Sequence, residues 1–316
     1  MKLFSGSSNL PLSQKIAQAL QMELSPIETM IFPDGERRVK LNDSVVEEDA
    51  VVIQSTNTPV DQNYIELFFI IDALKRSGAR SITAVIPYLG YQRQDHVFRD
   101  GEVVSLDVMI RFLESLKVDR IIAFDLHSIK IPELFHIPVT HLSALPLFAE
   151  RIQSKAFNKL VDSDDPEEFL KDTILVSPDM GGLRRIEQVS KTLNGLSWIA
   201  TVKDRDLRTG DITIKHFEGP LSPSDLPGKR ALIVDDMISS GNTVVQSAQL
   251  LKDNGVVSCD VFATHAIFSE EAPELLQDSS IDRVYVTNTV FIQEEKRFPK
   301  LHVLSVAESL AKALHT

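Results

Sequence analysis

The chain has 316 residues, 43% apolar and 25% charged, which argues against a disordered or fibrous protein and leaves room for two domains, each with its own core. Lys and Arg number 33 against 45 Asp and Glu, a formal charge of −12, so no nucleic-acid partner is expected. The single cysteine, Cys259, excludes an intramolecular disulfide and a cysteine-rich metal site and fits a cytoplasmic protein. No apolar signal-peptide core follows Met1-Lys2, and runs such as 67–73 fall far short of the roughly 20 residues of a membrane helix, so no membrane partner is expected either.

In chain order, Phe32-Pro33-Asp34-Gly35-Glu36 has the form of a turn between strands. Residues 50–54 predict a strand, 64–75 a helix with most apolar residues on one face, 82–86 a strand, 108–116 a helix and 120–124 a strand. A boundary is expected near 138–146, with a new helix at about 147–152. The acidic stretch 154–172 reads as a locally helical, solvated surface insertion. Beyond it, 173–176 predicts a strand, 186–193 a helix, 198–202 and 212–217 strands around a polar loop, 231–234 a strand, 244–253 a helix, and 257–263 and 284–286 strands. Residues 303–314 read as an amphipathic terminal helix. The short apolar strands are those of parallel sheets buried on both faces. The fold class expected is therefore α/β, two similar doubly wound domains with parallel sheets, over 1–142 and 143–316.

The most specific signal is Asp235-Asp236-Met237-Ile238-Ser239-Ser240-Gly241-Asn242-Thr243, directly after the strand 231–234. Two carboxylates stand at a strand's C-terminal end, where open α/β sheets bind ligands. A loop of small and hydroxylated residues then leads into a helix, directing backbone N–H groups at an anion. Phosphate at the loop and sugar hydroxyls at the carboxylates suit a sugar phosphate; the plain alternative is a strand–turn–helix with acidic caps. This string resembles the phosphoribosyl-pyrophosphate signature shared by type I phosphoribosyltransferases and ribose-phosphate pyrophosphokinases.

Other segments choose between those two. Pro87-Tyr88-Leu89-Gly90-Tyr91-Gln92-Arg93-Gln94-Asp95 follows a strand; by itself it is a polar loop whose Arg93 can fork onto phosphate while Gln94 and Asp95 read a base or ribose. It looks like the pyrophosphokinases' ATP-binding segment. Phe124-Asp125-Leu126-His127 ends another strand. A lone histidine in a sheet is more often a satisfied core group, but the resemblance implies that His127 helps hold Mg²⁺–ATP. Ser177-Pro178-Asp179-Met180-Gly181-Gly182-Leu183-Arg184-Arg185 is a glycine-rich turn allowing close backbone approach; it resembles the family's pyrophosphate loop, with Gly181 and Gly182 in the turn and Asp179 as a metal-site residue. Lys203-Asp204-Arg205 opens a charged stretch running to Asp211, and the resemblance places Lys203 and Arg205 on the catalytic flexible loop. In the family, the segment matching Phe32, Asp34 and Glu36 reaches the adenine of a neighbouring subunit.

These segments occur in family order along most of the chain, which is therefore similar to ribose-phosphate pyrophosphokinases, with a phosphoribosyltransferase type I-like fold. The resemblance implies transfer of the diphosphoryl group of ATP to the C1 hydroxyl of ribose 5-phosphate, Mg²⁺ as cofactor, and a homo-oligomer built from dimers, often hexameric. Asp235, Asp236 and the loop Ser239, Ser240, Gly241, Asn242, Thr243 would take the ribose 5-phosphate. A phosphoribosyltransferase would share that loop but has no need of Arg93-Gln94-Asp95 or of Asp125-Leu126-His127; a non-catalytic regulatory subunit has no need to keep Lys203 and Arg205. Ser239 stands where many members have Asp and Asn242 where many have Gly. Residues 96–105 are less basic than in phosphate-activated members, and Lys130 and Pro132 replace glutamines, which looks more like the divergent or archaeal-type branch.

Overall fold

The computed structural model describes residues 1–97, 99–154, 157, 166–205, 212–269 and 271–315, with the backbone alone at 166–168, 203–205 and 212–215. It forms two compact units, one of Met1–Ser143 with Asn288–Phe291 and Ser305–Thr316, the other of Ala144–Thr287 with Ile292–Leu304.

In the first unit, β1 (Lys2–Ser5) leads to α1 (Leu10–Ala19), where the side chain of Asn9 caps the helix by accepting the Leu12 N–H. The hairpin β2 (Ile27–Ile31) and β3 (Arg37–Leu41) follows, then β4 (Asp49–Ile53), α2 (Val60–Arg76), β5 (Ser81–Ile86), α3 (Ser105–Ser115), β6 (Arg120–Phe124) and β7 (Val139–Leu142). Five strands pair in the order β1-β4-β5-β6-β7, all parallel. Their apolar runs face helices: Phe4, Val52, Leu67, Ile71, Ile86, Leu113 and Ile121 share one fully buried cluster, each such side chain contributing about 1.5–3 kcal/mol by leaving water.

The second unit contains α4 (Leu145–Gln153), α5 (Pro166–Lys171), β8 (Thr173–Ser177), α6 (Leu183–Thr192), β9 (Trp198–Arg205), β10 (Ile212–Glu218), β11 (Arg230–Ile238), α7 (Asn242–Asp253), β12 (Ser258–Ala266), α8 (Ala272–Asp278), β13 (Arg283–Thr287) and β14 (Leu301–Leu304). The sheet order is β10-β9-β8-β11-β12-β13-β14, parallel except for the antiparallel pair β9/β10. Winding runs outward in both directions from β8 and β11, so the strand order reverses there.

Three expectations change in the structure. The terminal element expected over 303–314 is a strand and a helix: Val303 and Leu304 lie in β14, paired with Val286 and Thr287 of β13, and α9 begins at Ala307 and ends at His315. That helix packs in the first unit, where Arg120 Nη2 donates to the Ala313 carbonyl at 3.2 Å, so the second unit does not run unbroken to the C-terminus. The stretch 154–172 is not wholly a solvated insertion. Phe157 and Phe169 are 0% and 3% exposed, their rings 5.5 Å apart, with Phe157 6.0 Å from Phe262 of β12; two aromatic anchors sit among acidic neighbours. Finally, β9 continues through Arg205 in register with β10 rather than ending at 202.

Candidate active site

Ligands in open α/β sheets bind outside the carboxyl ends of strands where the strand order reverses. In the second unit those ends are Ser177 of β8 and the tail of β11. β11 is buried through Val234; beyond it, successive side chains alternate between the two faces of the strand, which puts Asp235 and Asp236 on opposite faces. Arg185, in the first turn of α6, reaches both: Nη1 lies 3.3 Å from Asp235 Oδ1 and Nη2 3.6 Å from Asp236 Oδ2. Asp235 Oδ1 also accepts the Asp236 N–H at 2.9 Å, and Asp236 Oδ1 the Met237 N–H at 3.1 Å. Burial pushes the Asp235 carboxyl well above the ordinary carboxylate value; the Asp236 and Asp179 charges add to this and Arg185 opposes it.

The turn after β8 is built by the same local logic. Asp179 caps a single 3₁₀ turn, its Oδ1 accepting the Gly182 N–H at 3.1 Å, while Ser177 Oγ donates to the Asp179 carbonyl at 2.7 Å. Gly182 has no room for a side chain, since a Cβ there would strike Ser177 Oγ. After β11, Gly241 takes φ +80° and turns the chain into α7. Ser240 and Asn242 are exposed, Ser239 and Thr243 half-buried. Asn242 Nδ2 donates to Ser240 Oγ at 3.3 Å, and the Ser239 carbonyl accepts the Ser269 N–H at 2.9 Å. The loop is therefore tied down on its carbonyl side. The first turn of a helix has N–H groups without intrahelical partners, so α7 is suited to an anion at this loop.

Lys203 and Arg205 stand on the part of β9 beyond Ala200, the last residue in register with β8. The β9/β10 hairpin thus extends past the carboxyl end of β8 by roughly 16 Å at the usual strand rise. Their side chains and residues 206–211 of the expected flexible loop lie outside the described residues.

In the first unit, the chain after β5 passes through Gly90, held by Tyr64 Oη donating to its carbonyl at 2.9 Å and by its own N–H donating to Thr56 Oγ1 at 2.7 Å. Arg93 and Gln94 are exposed. Gln94 Oε1 accepts from Ser105 Oγ, and Asp95 Oδ1 lies 2.6 Å from His96 Nδ1. After β6, Asp125 accepts from Ser143 Oγ at 2.7 Å, and the Leu126 N–H donates to His141 Nε2 at 3.0 Å. Burial lowers the His141 value, against the pull of Asp125. His127 presents an exposed side chain, and its N–H donates to Gln92 Oε1 at 2.9 Å. The segments carrying Arg93 and His127 are thus joined side by side. The turn carrying Phe32, Asp34 and Glu36 is exposed, closed by the Phe32 N–H on the Glu36 carbonyl at 2.8 Å and the Glu36 N–H on Asp34 Oδ1 at 3.2 Å.

Gln92 and His141 escaped the sequence reading, because neither has a pattern around it that distinguishes it from a polar loop residue. Among the described residues no group of three or more His, Cys, Asp and Glu forms a cage for a metal ion. The donor set nonetheless suits Mg²⁺, which takes one or two carboxylates together with substrate phosphates: Asp179, Asp235 and Asp236 are hard oxygen donors, and a divalent cation would offset both the burial and the neighbouring Asp236 charge that raise the Asp235 value. His127 and Asp179 belong to different units.

A family model described as the N-terminal domain of ribose phosphate pyrophosphokinase matches residues 1–116, and one described as the phosphoribosyl synthetase-associated domain matches 213–316. The protein named ribose-phosphate pyrophosphokinase 2, chloroplastic, of Oryza sativa subsp. japonica is 37% identical over 314 residues, 99% of this chain and 74% of that protein. The chain belongs to the ribose-phosphate pyrophosphokinase family. Another ribose-phosphate pyrophosphokinase, of Gloeobacter violaceus, is 35% identical over 314 residues, 99% of this chain and 89% of its own length. Among solved structures, the phosphoribosylpyrophosphate synthetase from Mycobacterium smegmatis matches with a TM-score of 0.88 at 33% identity, covering 99% of this chain and 97% of that one. The α/β architecture with parallel sheets read from the sequence is therefore that of the ribose-phosphate pyrophosphokinase family.

Proposed function

We infer that the chain is an ATP-dependent transferase that moves the β,γ-diphosphoryl group of ATP to O1 of ribose 5-phosphate, yielding 5-phosphoribosyl 1-pyrophosphate and AMP. O1 attacks the β-phosphorus in line, the bond from that phosphorus to the α,β-bridging oxygen breaks, and the bridging oxygen leaves with AMP. Such a transfer is catalysed chiefly by positioning and by charge neutralisation.

The observation that carries the reading is the pair Asp235 and Asp236, held by Arg185 at the entrance to the Gly241 loop. In our assignment, Ser239, Ser240, Gly241, Asn242 and Thr243 receive the 5-phosphate, and Asp235 and Asp236 accept hydrogen bonds from the ribose hydroxyls. Gly181 and Gly182 let backbone approach the pyrophosphate. Arg93, Gln94 and Asp95 hold ATP, with Phe32, Asp34 and Glu36 at the adenine. Lys203 and Arg205 stabilise charge developing on the bridging oxygen and the diphosphoryl group. Asp179 and His127 would hold Mg²⁺, His127 through phosphate or water because the ion prefers oxygen, with Asp235 and Asp236 beside a second ion. When bound, Mg²⁺ supplies positive charge to the phosphate oxygens.

We also assign a homo-oligomer built from dimers and a cytoplasmic location. The family resemblance supports the first. The second rests on the lone, buried Cys259, and no helix among the described residues is long and apolar enough to cross a membrane. The test is incubation of the purified chain with ATP and Mg²⁺: AMP should accumulate only when ribose 5-phosphate is present. ADP as the product, or AMP release without the sugar, contradicts the reading.

A further inference from the structure

Gln92 lies between Tyr91 and Arg93 in the loop after β5 and is 1% exposed. Its Oε1 accepts the His127 N–H from the loop after β6 at 2.9 Å. That donor fixes the amide's orientation, since the reversed amide would set an N–H against an N–H. Nε2 is consequently a buried donor with no acceptor among the described residues. Leaving a buried donor unpaired costs about 1–3 kcal/mol, as much as or more than the roughly 0.5–1.5 kcal/mol that the single bond to the His127 N–H contributes. Stability alone does not account for an amide here.

The surroundings point to positioning. On the N-terminal side, the loop is fastened at Gly90, where a Cβ would strike the Thr56 carbonyl, and at Tyr91, which takes φ +61°. On the C-terminal side, the Gln94 N–H donates to the Tyr91 carbonyl at 2.8 Å and the Gln94 carbonyl accepts the Leu106 N–H at 3.3 Å. Arg93 therefore rides on a braced turn, and Gln92 extends that brace across to the backbone of His127.

We propose that Gln92 is a positioning residue that locks the His127 segment to the Arg93–Asp95 segment, so that the two present their side chains to ATP in one arrangement. The proposal rests on the assignment of those segments to ATP. The test compares wild type with Gln92→Met, which keeps the length and removes both polar atoms, and measures four quantities: the affinity for Mg²⁺–ATP by calorimetry, the KM for ribose 5-phosphate, the melting temperature, and amide hydrogen exchange at His127. ATP affinity should fall roughly five- to tenfold, the worth of one hydrogen bond. Exchange at His127 should quicken, the ribose 5-phosphate KM should stay put, and the melting temperature should hold or rise. Unchanged ATP affinity, an equal loss toward both substrates, or a loss confined to melting temperature overturns the role of Gln92 while leaving the ATP assignment standing. A wild-type chain that binds no ATP overturns both.

Discussion

Arg185 Nη1 stands 3.3 Å from Asp235 Oδ1, and the same guanidinium reaches Asp236 Oδ2 at 3.6 Å. A cation on the first turn of α6 opposes the helix dipole, so its place there is explained by the adjacent carboxylates at the end of β11. Arg185 offsets two carboxylates at once, so removing it leaves both partly buried charges uncompensated, whereas removing Asp235 still leaves Arg185 its contact with Asp236. Arg185→Met should therefore raise the ribose 5-phosphate KM at least about tenfold and move the acid limb of the pH–rate profile to higher pH, since Asp235 loses the charge that holds its value down. Arg185→Lys, which keeps the charge but not the two-pronged reach, should fall between the two. An unchanged pH profile for Arg185→Met would count against this electrostatic role.

Asp235 itself should trade stability for function. Its folded-state value is raised, chiefly by burial and then by Asp236. Such a group contributes stability fully only below the unfolded value of about 3.9, and that contribution is lost as pH rises through the folded value. Above the folded value the ionised carboxylate weighs against the fold. Asp235→Asn should melt on the order of 2–4 °C higher near pH 7 and bind ribose 5-phosphate at least about tenfold more weakly. Thermal melts and sugar saturation curves on the same preparation check both halves; a lower melting temperature would refute the first.

Lys203 gives a cleaner kinetic test. If, as proposed, it stabilises charge that develops only during transfer, it should matter to kcat more than to KM. Lys203→Ala should lower kcat by about 10²–10³-fold with little change in either KM. Full turnover by that variant removes the residue from the catalytic set.

His141 accepts the Leu126 N–H through Nε2, a contact available only to the neutral ring. Burial places its value below the ordinary 6.5. As pH falls, the unfolded chain therefore takes up this proton first, and the first unit loses stability across the window below the ordinary histidine value. Between about pH 7.5 and pH 5.5, the wild-type melting temperature should fall more steeply than that of His141→Gln, whose amide oxygen can accept without titrating. Parallel slopes would show that His141 does not titrate on unfolding.

Much of the second unit's candidate site was legible because it is local in sequence. A buried strand, two carboxylates, a small-residue loop and a helix follow one another within residues 231–253, and the structure keeps them in that order. The pairings that organise the site were not legible, because they join distant positions: Arg185 meets Asp235 across 50 residues and Gln92 meets His127 across 35. Spacing carries no information about such contacts. β7 and β14 escaped for a different reason. Thr140, His141 and His302 interrupt the apolar runs that mark interior strands, and both strands lie at sheet edges, where one side needs no partner. The burial of Phe157 and Phe169 was hidden by the acidic residues around them, since composition averages over a segment while packing selects single side chains.

If the reversal of strand order between β8 and β11 marks the ribose 5-phosphate site, crystals of the protein soaked with ribose 5-phosphate should show the 5-phosphate on the backbone amides of the Ser239–Thr243 loop and the ribose hydroxyls on Asp235 and Asp236. A sugar phosphate bound elsewhere, with that loop and both carboxylates untouched, would rule that site out.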